Sequence, residues 1–226
     1  MKFPALALPV LLLAGGALLL PRTLQAGQEP GAPEMTPEQQ MEMMMAVMAA
    51  GQPGEEHAHL AQSVGEWDIA SRYRMAPDAE WQDATAQSRV SMVLGGRYMV
   101  ERFEGTFEGM PFNGLLFLGY DNTRKEYVSI WMDSMSTRPS ISTGQKDENG
   151  VMTLTGLMID PISPEGRRTK YVSMPLEGGR MMMKMYDTIP PHGEVQVMEM
   201  TYTRKGGEHE SDHDGEHDGE HEGSHD

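Results

Sequence analysis

The sequence predicts an all-β fold, an antiparallel barrel of about ten short strands preceded by one or two short helices. Three observations lead there. From Trp67 to Lys205 apolar and polar residues alternate in short runs, the period of a half-buried strand. Turn signals rich in Gly, Pro, Asn and Asp interrupt those runs every ~10–14 residues. No helical period appears among them, and the connections look uniformly short, which favours a meander closing on itself over a sandwich with crossovers.

The elements follow in chain order. Residues 1–26, "MKFPALALPVLLLAGGALLLPRTLQA", carry one early charge, Lys2, then an apolar run broken by Pro4, Pro9, Gly15 and Gly16, and end on a small residue, Ala26. That is the pattern of a cleaved secretory leader, and the prolines and glycines argue against a membrane anchor. The expected location is periplasmic or secreted, with no membrane span after cleavage. Residues 27–35 read as a Pro/Gly/Glu linker. Residues 36–53 read as a Met-rich amphipathic helix. Thr36 and Gln39 form a capping box, Pro37 suits the first turn, and Met41, Met44, Met45 and Met48 share one face, which should pack against something apolar and cover one end of the barrel. The barrel domain spans 54–205, opening with a second short helix that ends near Gly65.

The strands are then Trp67–Met75, "ATAQSRVSMVL", "RYMVERFEG", "GLLFLGY", "YVSIWMD", "SISTG", "VMTLTGLMI", "RTKYVSM", "RMMMKMY" and "EVQVMEMTYTRK". "LGG", "EGMPFNG", "YDNTRKE", "KDENG", "SPEG", "LEGG" and "PPHGE" separate them as turns. Residues 206–226 form an acidic tail in which His209, His213, His217, His221 and His225 recur every fourth position. It has no apolar residue and cannot fold alone.

Charge and composition exclude some partners. The formal charge is −16, and loss of Lys2 and Arg22 with the leader makes the mature chain more acidic still. Nucleic acid and anionic membrane surfaces are therefore not expected partners. There is no Cys, so the domain holds by its core alone. The 22 Met residues can fill irregular apolar space or ligate soft metals. Packing is the preferred reading for the "RMMMKMY" strand. Met181, Met183 and Met185 share one face, with Met198 and Met200 of the last strand as cross-strand neighbours around an apolar cavity.

The stretch "LGGRYMVERFEGTFEGMPFNGLLFLGYDNTRKEYVSIWMDSMST", with "GEW" at 65–67 and "VMEMTYTRK" at 197–205, resembles the bacterial family called domain of unknown function 1579. The resemblance covers about residues 35–205. It implies a secreted or periplasmic protein with a lipocalin-like (calycin) barrel, and it implies no activity. The G-x-W at 65–67 is shared with lipocalins at the level of fold, which implies that Trp67 plugs the closed end.

Candidate site residues come from "SIWMDSMST". Alternation puts Ser129, Trp131 and Asp133 on one strand face. If that face is inward, Trp131 and Asp133 line the cavity, and Arg102 and Arg97 on neighbouring segments could join them to hold a polar head group by charge-assisted hydrogen bonds. The competing reading is an internal ion pair or a hydrogen-bonded hairpin loop. No catalytic motif occurs: Ser134 and Ser136 lack a G-x-S-x-G frame, and there is no H-E-x-x-H. The expected function is a non-enzymatic binding protein for a small apolar or amphipathic ligand, needing no cofactor. Its histidine tail is an accessory site for divalent Zn, Ni or Cu. The alternative is an envelope metal-handling protein in which the tail is the working part.

Overall fold

The computed structural model describes residues 35–206. The expected leader and the five tail histidines lie outside the described residues. Helix α1 (Pro37–Ala50) begins at the anticipated capping box: the Gln39 amide donates to Thr36 Oγ1 at 3.2 Å, and the Thr36 amide donates to Gln39 Oε1 at 2.9 Å. Its methionine face is not buried, contrary to the sequence expectation; Met45 is 64% exposed. The buried helical residues belong instead to α2 (Glu55–Ala61), where His57 and Leu60 turn inward.

Ten strands form one closed antiparallel barrel: β1 (Gly65–Tyr73), β2 (Gln82–Val93), β3 (Tyr98–Phe107), β4 (Met110–Asp121), β5 (Glu126–Asp133), β6 (Ser140–Lys146), β7 (Met152–Asp160), β8 (Ser163–Pro175), β9 (Met181–Ile189) and β10 (Gly193–Arg204). Each strand pairs with its neighbours in sequence, and β1 closes the ring against β10, Ile69 opposite Tyr202. Every run read as a strand from alternation is one. Two turns are tighter than read. "EGMPFNG" is mostly strand: only Glu108 and Gly109 turn, both at positive φ, the conformation of a two-residue hairpin whose twist suits its strands. "SPEG" likewise lies inside β8, after a turn at residues 161–162.

The alternation sorts most side chains on the first strands, although Val100 of β3, outward by parity, is also buried. Trp67, Ile69 and Tyr73 of β1, Ala86, Ser88 and Val90 of β2, and Met99, Glu101 and Phe103 of β3 are buried. Between them Asp68, Gln87, Arg89, Arg102 and Glu104 are exposed. Because β3, β4 and β5 are paired in register, the inward set continues through Leu116 and Leu118 to Ser129 and Trp131. On the far side, Met183 stands opposite Met200 and Met185 opposite Met198, the methionine pairing read from the sequence.

One end of the barrel is closed by α2 and Trp67. The Trp67 indole N–H donates to Ser63 O at 3.0 Å, its ring meets Tyr202 edge-on, and the Arg204 guanidinium lies 4.4 Å over its face. Arg204 in turn donates to the carbonyls of Val64 and Gln62. Gly65 makes this possible, since a Cβ there would stand 2.4 Å from the guanidinium. The Tyr127 hydroxyl donates to Glu56, which also pairs with Lys146 at 3.3 Å. The Tyr127 bond holds the Glu56 carboxyl below its ordinary range, while burial and Glu56 push the Tyr127 hydroxyl up.

Candidate functional site

Trp131 and Asp133 do face inward, at the end of the barrel opposite α2. Trp131 pairs with Leu116 and Asp133 with Gly114. The indole lies directly across β4: a Cβ on Gly114 would sit 2.1 Å from Trp131 Cη2, so only glycine admits the ring. Phe112 stacks on Trp131 with centroids 6.3 Å apart, and Phe103 meets both edge-on. The result is a three-ring apolar wall on β3, β4 and β5, of the size and geometry that aromatic groups use to bury large area.

Asp133 is committed to that wall and its loop. One oxygen accepts from the Trp131 indole N–H at 2.9 Å, and the other accepts from the Met135 amide at 2.9 Å. This is the hydrogen-bonded hairpin arrangement that competed with ligand contact in the sequence. The two predicted arginines do not join it. Arg102 follows the strand parity outward, between inward Glu101 and Phe103, and is exposed. It shares with Asp133 a shallow depression of about 400 Å³ lined also by Leu115, Met132 and Ser134. By strand parity Arg102, Leu115 and Met132 are outer-wall positions, while Phe103, Gly114 and Asp133 in the same lining belong to the inner face. Arg97 lies in the turn before β3, at the α2 end, where it donates to Gly51 O and Leu94 O. Arg97 therefore anchors the segment after α1, which Asn122 also holds through Ala50 O and Gln52 O.

The arginine that reaches the interior is Arg167 of β8, which the sequence reading did not single out. It donates to Asp187 Oδ2 at 2.6 Å and to Asp160 Oδ2 at 2.5 Å. Burial alone would lower its affinity for protons, but the two carboxylates outweigh that and raise it. Asp160 is held below the usual carboxylate range chiefly by Arg167. Asp187 is only 6% exposed, and its second oxygen has no partner. Tyr171, two residues along the same face as Thr169, is pushed up mainly by burial, with the charges of Asp187 and Asp133 adding to it. The sequence offered a weak signal for this cluster. "GRRTKY" carries cations on both strand faces, so Arg167 and Arg168 were indistinguishable by type.

Deeper in the barrel, Glu101 stands in the same register row as Leu116 and Trp131. Burial raises its pKa; the nearby Ser88 and Tyr202 hydroxyls oppose that rise. Glu101 Oε1 and Ser88 Oγ are both buried without a hydrogen-bond partner. A second depression, about 450 Å³, lies over Asp68, Thr85, Gln87, Glu104 and Thr203, again outer-wall positions. The barrel interior carries aromatic and methionine side chains together with buried Ser88, Glu101, Ser129, Ser142, Thr169 and Asp187. Among the described residues no three His, Asp or Glu side chains converge as metal ligands.

The family model "Protein of unknown function (DUF1579)" matches residues 52–204, from the segment before α2 to the end of β10. Comparison with the curated proteins returns no match. The match spans all ten strands, and the sequence features that carried the resemblance are structural here: Trp67 and Arg204 close one end, and Trp131 builds the aromatic wall at the other. The chain belongs to the DUF1579 family.

Proposed function

We propose that this is an extracytoplasmic binding protein whose barrel holds one small, apolar or amphipathic molecule, entering at the end opposite α2. The observation that carries the reading is the inward wall of Phe103, Phe112 and Trp131, together with the inward methionines of β9 and β10. Barrel diameter grows with strand number, and eight strands already leave room for side chains or one small ligand. Ten strands enclose more. Methionine is unbranched and flexible, so Met181, Met183 and Met200 can move aside for a guest at low cost. The Arg167–Asp187 pair supplies a polar contact near the same end. The leader-like start of the chain supports the location, and the histidine spacing of the tail supports an accessory divalent-metal role.

The test is titration with N-phenyl-1-naphthylamine, a neutral probe that brightens in apolar surroundings. Saturable binding of one probe per chain is expected. Trp131→Ala should weaken it by about ten-fold, the equivalent of one aromatic contact of ~1.4 kcal/mol. Arg102→Gln, on the outer wall, should leave it unchanged. Absence of saturable binding, or equal loss in both variants, would overturn the reading.

A further inference from the structure

Glu101 is a buried acid on the inner face of the barrel, which also carries Ser88, Ser129, Ser142, Thr169 and Asp187. It is 6% exposed, and among the described residues it makes no ion pair. Its register neighbours are Val90 on β2 and Leu116 on β4, both apolar. The inward positions nearest it are Met99 and Phe103 on its own strand and Ser88 on β2. Tyr202 of β10 approaches it, and burial above all, with Glu101 beside it, pushes the phenol well above its ordinary value. The Tyr202 hydroxyl lies beside Glu101 and also within 3.8 Å of the Met200 sulfur. Three polar groups thus converge in the interior, and two of their oxygens, Glu101 Oε1 and Ser88 Oγ, bond to nothing. Buried polar atoms are almost always satisfied, and an orphan costs about 1–3 kcal/mol. A polar guest group reaching them would supply the missing partner.

The chemistry of the three groups selects the guest. An isolated carboxylate in so apolar a surrounding is strongly disfavoured, so the site presents a neutral carboxyl, an alcohol and a phenol. Such a set offers donors and acceptors but no net charge. A carboxylate guest would meet no cation, and an ammonium guest would have to be stripped of water to form a buried ion pair, whose desolvation offsets its attraction. A hydroxyl or carbonyl group can both give and take hydrogen bonds there. The aromatic wall lies directly above: Phe103 is two residues from Glu101 on the same face, about 7 Å along the strand, and contacts Trp131.

We propose that Glu101, Ser88 and Tyr202 form the polar floor of the lumen and hold the uncharged hydroxyl or carbonyl group of an amphipathic guest, whose apolar part lies against Phe103, Trp131 and the methionines of β9 and β10. The proposal rests on the reading that the lumen takes a ligand, and adds which end of the ligand goes deep and that it is neutral.

Competition against N-phenyl-1-naphthylamine at pH 7.5 tests it, with 1-decanol, decanoate and decylamine as competitors on the full chain. Decanol should displace the probe at a concentration at least ten-fold below either ion, since one satisfied buried hydrogen bond is worth about that factor. Glu101→Gln keeps a neutral donor and acceptor and should keep the preference. Glu101→Leu should bind the probe as before but lose the advantage of decanol, to within about two-fold. Ser88→Ala should lose part of it and serves as the second variant, with circular dichroism confirming the fold of each. Tightest displacement by decylamine would show an ionised Glu101 and overturn the proposal. So would an unchanged decanol preference in Glu101→Leu, or equal displacement by all three, while probe binding itself left the binding reading standing. Failure of the parent to bind any probe would overturn both.

Discussion

Replacing Trp67 with alanine should cost about 4 kcal/mol of folding stability. The indole is 5% exposed. A large aromatic side chain buries about 200 Å², worth about 5 kcal/mol at 25 cal/mol per Å². That figure is an upper bound, because the unfolded chain already hides part of the ring. Two further contacts vanish with it: the indole hydrogen bond to Ser63 O, about 1 kcal/mol, and the Arg204 stack, about 0.5–1 kcal/mol. Part of the loss is regained as α2 and Tyr202 settle into the space. Urea unfolding followed by far-UV circular dichroism measures the change without relying on tryptophan fluorescence. With a slope of about 2 kcal/mol per M, the midpoint should fall by about 2 M. Trp81, half-buried and flanked by Arg72 and Arg74 at 5.0 and 4.8 Å, provides the comparison, and its alanine variant should lose about 1 kcal/mol or less. A Trp67→Ala midpoint shifted by less than about 0.5 M would refute the plug at the α2 end.

Glu101→Gln should be more stable than the parent at neutral pH. The native carboxyl titrates above its ordinary value of 4.5 because it is buried, so it contributes fully below that pH, and the contribution is lost as pH rises through the native pKa. The stability difference between variant and parent should therefore grow from pH 4.5 upward and vanish below it, and a constant difference across that range would contradict a buried neutral acid. Gly114→Ala should destabilise by about 1–3 kcal/mol and change the near-ultraviolet dichroism of Trp131, because the new methyl group and the indole compete for one place. A chain truncated after Lys205 should keep its barrel and lose micromolar zinc or nickel binding that the full chain shows by calorimetry, with that binding weakening below about pH 6 as histidine protonates. Equal binding by both would move the metal site into the barrel.

The strands were legible because seven-residue alternations such as "WDIASRY" leave little choice of which face is buried, and "GYDN" and "KDENG" punctuate them with turn chemistry. What alternation could not supply was the choice of inward face where both faces carry the same type. In "RMMMKMY" methionines occupy both, and only the pairing of Met183 with Met200 assigns the odd positions inward. In "GRRTKY" the inward arginine, Arg167, is distinguished from Arg168 only by the carboxylates it meets. Arg102 reads as a site residue in the sequence because it neighbours the aromatic stretch, yet its own strand parity, opposite to Phe103, puts it outside. Glu101 was visible in the sequence as an acid between Val100 and Arg102. Its burial follows from the period but runs against composition, and such conflicts are where a binding site is expected. The exposed methionines of α1 show the reverse: an apolar stripe at helical spacing states that a face is apolar, not that something covers it.

Native mass spectrometry of the protein purified from its own host tests the central claim most directly. The account predicts a mass surplus of one small, neutral organic molecule per chain, retained under gentle conditions, present after truncation at Lys205, and lost from the Glu101→Leu variant. A bare chain mass, or a surplus consisting only of metal ions that disappears with the tail, would contradict it.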